Sequence, residues 1–348
     1  NAVMRLDPLL VVCEEGIIKG GIAVDFENET VEFDAVSTAN PISTARMMDF
    51  LTNEIRKCSF NGPVRVAAKG MVGFSEMEKS DFELKVDCRD CVFEGFAIDR
   101  CVFTSRQKGP TNNVEAFRCR LYGGEISGSV VMVVPEGDET NVEYVVSVRS
   151  TQDMDFDSVM TAISEDYEKD MSGKFWIALD LKGISGLDNM ASLSGKGSVG
   201  IKSGRVFMLP VFGGLSSLMV KIVPGLDFVL RQTDAVADFT IGGGKITSDN
   251  INIEGDVLSM QGKGDYYFDG KVDYDVQLKL MKGHTLVGRL LRTLTYPISK
   301  LFEFELTGTL DRPQWKLNTM NLPGALLKAL GWKGRKDKDD NPEKAKER

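Results

Sequence analysis

Few residues of this chain have the types and spacing that chemistry requires. His284, the single histidine, sits beside Gly283 in a turn ahead of a helix-like pattern. No Ser, Asp or Cys arrangement around it suggests a triad, so it reads as a solvated loop histidine. Carboxylates abound, and a glycosidase-like pair is the chemistry they would offer. Asp273, Asp275, Glu303 and Glu305, however, fall on the wet parity of strand-like segments. Gly242 to Gly244 resembles a phosphate loop only superficially, because no Lys-Ser/Thr and no helix follow, and a hairpin turn is the expectation. Cys88 and Cys91 form a CxxC, and Cys101 and Cys119 could complete four thiolates for a structural zinc. The latter two are isolated by spacing and lie in separate strand patterns. No metal or cofactor is therefore expected, and disulfides or buried thiols remain open for Cys13, Cys58, Cys88, Cys91, Cys101 and Cys119.

The elements that hold these residues are mainly strands. Val272, Tyr274, Val276, Leu278 and Leu280 alternate with Asp273, Asp275, Gln277 and Lys279, the period of a strand with one dry and one wet face. Phe302, Phe304 and Leu306 alternate with Glu303 and Glu305 in the same way. Ile18, Ile22, Val24 and Phe26, a turn at Asn28-Glu29, and Val31, Phe33 and Ala35 read as a hairpin, and Leu121 to Val148 reads as a meander. Asp269-Gly270 predicts a type I′ hairpin turn. Helices are expected over 41–57, with a stripe of Met48, Leu51 and Ile55, and over 155–168. Further helices are expected from Pro210 to Ile222, over 283–295, and, short, over 322–332. Lys333 to Arg348 is almost wholly charged and reads as disordered. The fold class is mainly β with a few short amphipathic helices, built on a broad antiparallel sheet.

With 348 residues and 42% hydrophobic content the chain can bury a sizeable core. Its net charge of −9, from 51 acidic and 42 basic residues, argues against a nucleic-acid surface. Thirty-five glycines against 11 prolines fit many hairpin turns. No apolar run reaches the roughly 18 residues of a membrane span. The start at Asn1, already inside a strand-like pattern, is read as the C-terminal portion of a longer protein whose targeting segment lies upstream.

Tyr122-Gly123-Gly124-Glu125-Ile126-Ser127-Gly128, the helix after it, Leu193-Ser194-Gly195-Lys196-Gly197-Ser198-Val199 and Leu209-Pro210-Val211-Phe212 resemble the C-terminal region of the AsmA-like envelope proteins. Ile253-Glu254-Gly255, Gly262-Lys263-Gly264 and Leu306-Thr307-Gly308-Thr309-Leu310-Asp311-Arg312-Pro313 extend the likeness, over about 60–320. The resemblance implies an elongated sheet curled into a long hydrophobic groove, like a taco, that carries acyl chains between the two membranes of diderm bacteria. It implies a non-enzymatic periplasmic protein, anchored in the inner membrane, that binds phospholipid or another acyl lipid for outer-membrane biogenesis. Membrane contact would run through the anchor or the groove ends, and envelope proteins at the outer membrane would be partners. The expected division is then 1–62, a hairpin and helix continuing an upstream groove; 63–320, the groove domain; and 321–348, a short helix and tail.

The groove-lining candidates are Val272, Tyr274, Val276, Leu278, Leu280, Phe302, Phe304 and Leu306, each methylene buried there contributing about 0.8 kcal/mol. Phe212, Leu215, Leu218 and Met219 on one helix, and Leu286, Leu290, Arg289 and Arg292 on another, are candidates to plug a groove end or touch a membrane. Two alternatives stand beside this. The helices and curled sheet could fill the apolar face with the protein's own side chains. The chain could also be a structural or protein-interaction module of the envelope.

Overall fold

The computed structural model describes residues 3–13, 15–47, 57–74, 76–135, 141–163, 171–186, 189–222, 231–281 and 301–319. Among the described residues the fold is one continuous antiparallel sheet of nineteen strands that does not close on itself. The strands are β1 (Val3–Cys13), β2 (Gly16–Asp25), β3 (Thr30–Ser37), β4 (Cys58–Phe60), β5 (Val64–Gly73), β6 (Asp81–Phe93) and β7 (Phe96–Lys108). They continue as β8 (Thr111–Leu121), β9 (Gly124–Val133), β10 (Glu143–Gln152), β11 (Met154–Asp155), β12 (Lys174–Ile184) and β13 (Ser194–Gly204). The series ends with β14 (Thr233–Gly242), β15 (Lys245–Gly255), β16 (Leu258–Tyr267), β17 (Val272–Leu280), β18 (Leu301–Gly308) and β19 (Pro313–Leu317).

Nearly every strand pairs with the next in sequence, so the sheet is a meander. Short β4 lies in line with β5 on the same edge of β6, and β11 lies in line with β10 beside β12. β3 pairs directly with β5, carrying the ladder without a break across residue 62. At about 4.8 Å per strand the sheet runs for roughly 80 Å, while its strands are on the order of 35 Å long.

Tight turns close much of the meander. Gly243 and Gly244, with φ of 60° and 75°, form the two-residue hairpin that joins β14 to β15. At Asp269-Gly270 the hairpin forms, but only Gly270 has positive φ (89°), and Gly270 N donates to Tyr267 O at 2.8 Å. That is a longer turn than the type I′ expected.

The helices are α1 (Pro41–Met47), α2 (Phe156–Ile163), α3 (Asn189–Ser192) and α4 (Leu215–Ile222). α1, α2 and α4 leave the sheet at the same long rim, after β3, β11 and β13; α3 lies on the other rim. Asp155 caps α2, its Oδ1 accepting from Ser158 N at 2.9 Å and Ser158 Oγ at 2.6 Å. The helix expected from Pro210 to Ile222 is broken. Two 3₁₀ turns, Val206–Met208 and Pro210–Phe212, precede α4, because Gly213 and Gly214 (φ 86°) end the helical path. The helices expected over 283–295 and 322–332, the stripe of Met48, Leu51 and Ile55, residues 164–168 of the helix expected over 155–168, and the charged tail lie outside the described residues.

Candidate functional site

Register carries side-chain parity from strand to strand, so one face can be followed across the sheet. Val276 lies opposite Gly262 and Phe304. Leu179 lies opposite Val148 and Gly197, Val130 opposite Val146 and Val114, and Phe33 opposite Ile22 and Gly70. All belong to the same face, which is apolar from β1 to β19. The other face is wet and carries cross-strand ion pairs. Arg100 grips Asp87 through two nitrogens at 2.9 and 2.7 Å, Arg149 holds Asp180 at 2.6 Å, and Arg106 bridges Glu83 and Glu115. Hydrogen bonds from Arg100 and Arg149 hold the Asp87 and Asp180 carboxyls below the usual carboxylate range.

The apolar face is covered unevenly. Over β16 to β19 it is filled by the protein itself. Val272, Val276, Leu278, Leu280, Phe302, Phe304 and Leu306 are all buried, Leu278 completely, in one cluster with Phe207, Leu215 and Met219. Phe212 and Leu218 pack on its margin, so the structure brings the lining candidates and the α4 candidates together. The lid is pinned to the sheet: Trp315 Nε1 donates to Val211 O at 3.0 Å, and Trp315 stacks on Phe212 with ring centres 6.1 Å apart. Phe304 meets the same Trp315 edge-on at 6.2 Å. Tyr274 alone of the lining candidates is partly exposed, and burial pushes its hydroxyl up to about 12. Leu286, Leu290, Arg289 and Arg292 lie outside the described residues.

A second covered patch lies where β5 to β9 meet α2. Val64, Cys88, Cys91, Cys101, Cys119, Leu121, Met154 and Val159 are buried together. Cys101 and Cys119 face each other across β7 and β8 and form a disulfide, so they do not complete a four-thiolate zinc site. Burial, reinforced by contact with Cys88, pushes the Cys91 thiol up to about 12. Among the described residues no group of three or more His, Cys, Asp or Glu side chains could hold a metal ion. None of the described helices is long and apolar enough to cross a membrane.

Between these patches, and on toward β2, the apolar face is only half covered. Ile22, Phe33, Leu84, Val130, Val146, Val148, Leu179, Leu181, Val199 and Phe239 are each partly exposed. At the β1 edge Met4 and Leu6 are 48% and 47% exposed. This half-covered trough across β2 to β15 is the more exposed part of the apolar face among the described residues, and Val272 to Leu280 and Phe302 to Leu306 lie outside it. The signal was present in the alternation of Val146 and Val148 and of Leu179 and Leu181. It is fainter than that of β17 because glycines such as Gly128 and Gly197 interrupt the face.

A cleft of about 670 Å³ lies on the wet face and is lined by Asp234, Glu254, Gln261, Gln277 and Lys279 among others. Asp234 Oδ1 already accepts from Ser203 N at 2.7 Å. No protein-family model, curated protein or solved structure matches the chain.

Proposed function

We propose that the chain is a non-enzymatic lipid-binding module of the AsmA-like kind, acting in the periplasm in outer-membrane biogenesis or maintenance. Acyl chains would lie in the trough across β2 to β15, with head groups in water at its rims. One observation supports this reading above the rest: a single apolar face continues across the whole sheet, yet among the described residues its middle is only partly covered. The filled end over β16 to β19 then acts as a stopper on which the last ligand abuts. Anchoring in the inner membrane and partners at the outer membrane belong to the same proposal.

The test is organic extraction and native mass spectrometry of protein purified without detergent, followed by challenge with phospholipid vesicles. Co-purifying or captured phospholipid, at one or more molecules per chain, is the expected result. A chain that carries no lipid and takes none from vesicles refutes the reading. A structural or protein-interaction module is favoured instead by β1, whose Leu10 and Val12 on the otherwise wet face are 60% and 72% exposed. An edge strand apolar on both faces is suited to pairing with another strand.

A further inference from the structure

Cys88 and Cys91 are three residues apart on β6, a spacing that in a regular strand sends side chains to opposite faces. Here both are buried in the same cluster, with their sulfurs 3.5 Å apart. Asp90 is the cause. Its φ is 49°, a left-handed conformation that non-glycine residues seldom adopt, and the register steps from Arg89↔Arg100 to Cys91↔Ile98 without pairing it. Its carbonyl accepts from Asn61 N at 2.9 Å and Gly62 N at 3.2 Å, at the point where β4 gives way to β5. The break in the strand is thus held by the β4–β5 connection, and it places two thiols in contact.

The pair also sits at the end of a row. Cys101 lies directly opposite Cys88, Cys119 lies opposite Cys101, and the Cys88 thiol points at the Cys101 carbonyl at 3.6 Å. Three neighbouring strands therefore carry sulfur at one level of the apolar face, and only the last two are joined.

We propose that Cys88 and Cys91 are an oxidisable pair that a low-molecular-weight disulfide closes to a second bond, along β6, beside the fixed bond between β7 and β8. The exchange is balanced. One thiol displaces a thiolate from the reagent to give a mixed disulfide, and the other displaces the second thiolate. Two electrons and two protons pass from the cysteine pair to one molecule of the reagent disulfide, which leaves as two thiols. Burial of the pair makes the exchange slow, and the Cys91 thiol, held largely protonated at neutral pH, is a poor leaving group that slows reopening.

This inference is independent of the lipid reading, and its test uses the whole chain. Protein is incubated with oxidised glutathione, quenched in acid, alkylated under denaturing conditions and digested with trypsin without reduction. Arg89 lies between the two cysteines, so their bond joins the peptide 86–89 to the peptide 90–100. The expected result is that joined species, with alkylation lost at Cys88 and Cys91 together while Cys101 stays bonded to Cys119. The proposal is overturned if both residues remain alkylated after Cys58 has reacted. It is overturned equally if either stops at a glutathione adduct, or if Cys88 appears joined to 101–106 or 119–120.

Discussion

Replacing Leu179 with Asp should separate lipid retention from folding. Leu179 is partly exposed in the trough, between Val148 on β10 and Gly197 on β13. A carboxylate there keeps contact with water at the open side, and the fold loses much of the leucine's burial, about 1–2 kcal/mol against the 1.5–3 kcal/mol of full burial. A bound acyl chain fares worse, because it must strip that water or withdraw. Displacing roughly four methylenes at about 0.8 kcal/mol each removes about 3 kcal/mol, on the order of a 100-fold loss of affinity. Leu278→Ala is the control. Leu278 is fully buried under α4, so its truncation should cost about 2–5 kcal/mol of stability. Thermal unfolding and lipid quantitation by native mass spectrometry are read on both variants. The reasoning fails if Leu179→Asp destabilises as much as Leu278→Ala, since the trough would then be closed core. It fails equally if Leu179→Asp retains lipid at the wild-type level.

Other outcomes are expected. Asp155→Ala should cost about 1 kcal/mol by uncapping α2, read by thermal unfolding. The Ser158 hydrogen bonds favour the charged carboxylate and lower its pKa, so its contribution is complete above the ordinary carboxylate range and is lost as pH falls through the lowered value. Asp155→Asn should remove that part of the acid dependence. Gly128→Ala should destabilise by about 1–3 kcal/mol, because a methyl there runs into the Ser147 carbonyl of the next strand; wild-type unfolding behaviour would show that the strands can part. Closure of the Cys88–Cys91 pair should quicken roughly tenfold per pH unit from 7 to 10, because a thiol raised to about 12 is scarcely ionised below that. A rate that levels off near pH 8.5 in stopped-time alkylation would show that closure does not wait on ionisation of the raised Cys91 thiol.

The strands were legible because a period of two is a strong signal wherever one face is dry. What stayed hidden was depth. Val272 to Leu280 and Phe302 to Leu306 give the cleanest alternation, and large apolar residues in unbroken series are also what a filled core requires. The trough residues alternate as well, but with Gly128, Gly195 and Gly197 among them. The cover is also non-local: Trp315 and Val211 meet across 104 residues of sequence. The cysteine contact was illegible for a different reason. A CxxC inside a strand predicts opposite faces, and only the backbone turn at Asp90 reverses that, in a residue whose type does not announce it.

The wet face decides where a ligand can go. Arg100, Arg106 and Arg149 are tied to carboxylates on neighbouring strands, and burying these pairs against a second sheet would strip their water for little return. A sheet so constructed can accept cover on one face only. On that face α2 and α4 already occupy the positions next to one rim, leaving the strip toward the β2–β3 and β7–β8 turns. On the lipid reading proposed above, the occupant of that strip is long, thin and apolar and lies across the strands rather than along them. If instead a compact apolar probe such as a fluorescent naphthalene sulfonate bound as tightly as a phospholipid, the long trough would not be what selects the ligand. The expected order is phospholipid above lysophospholipid above the compact probe, in competition against a labelled acyl chain.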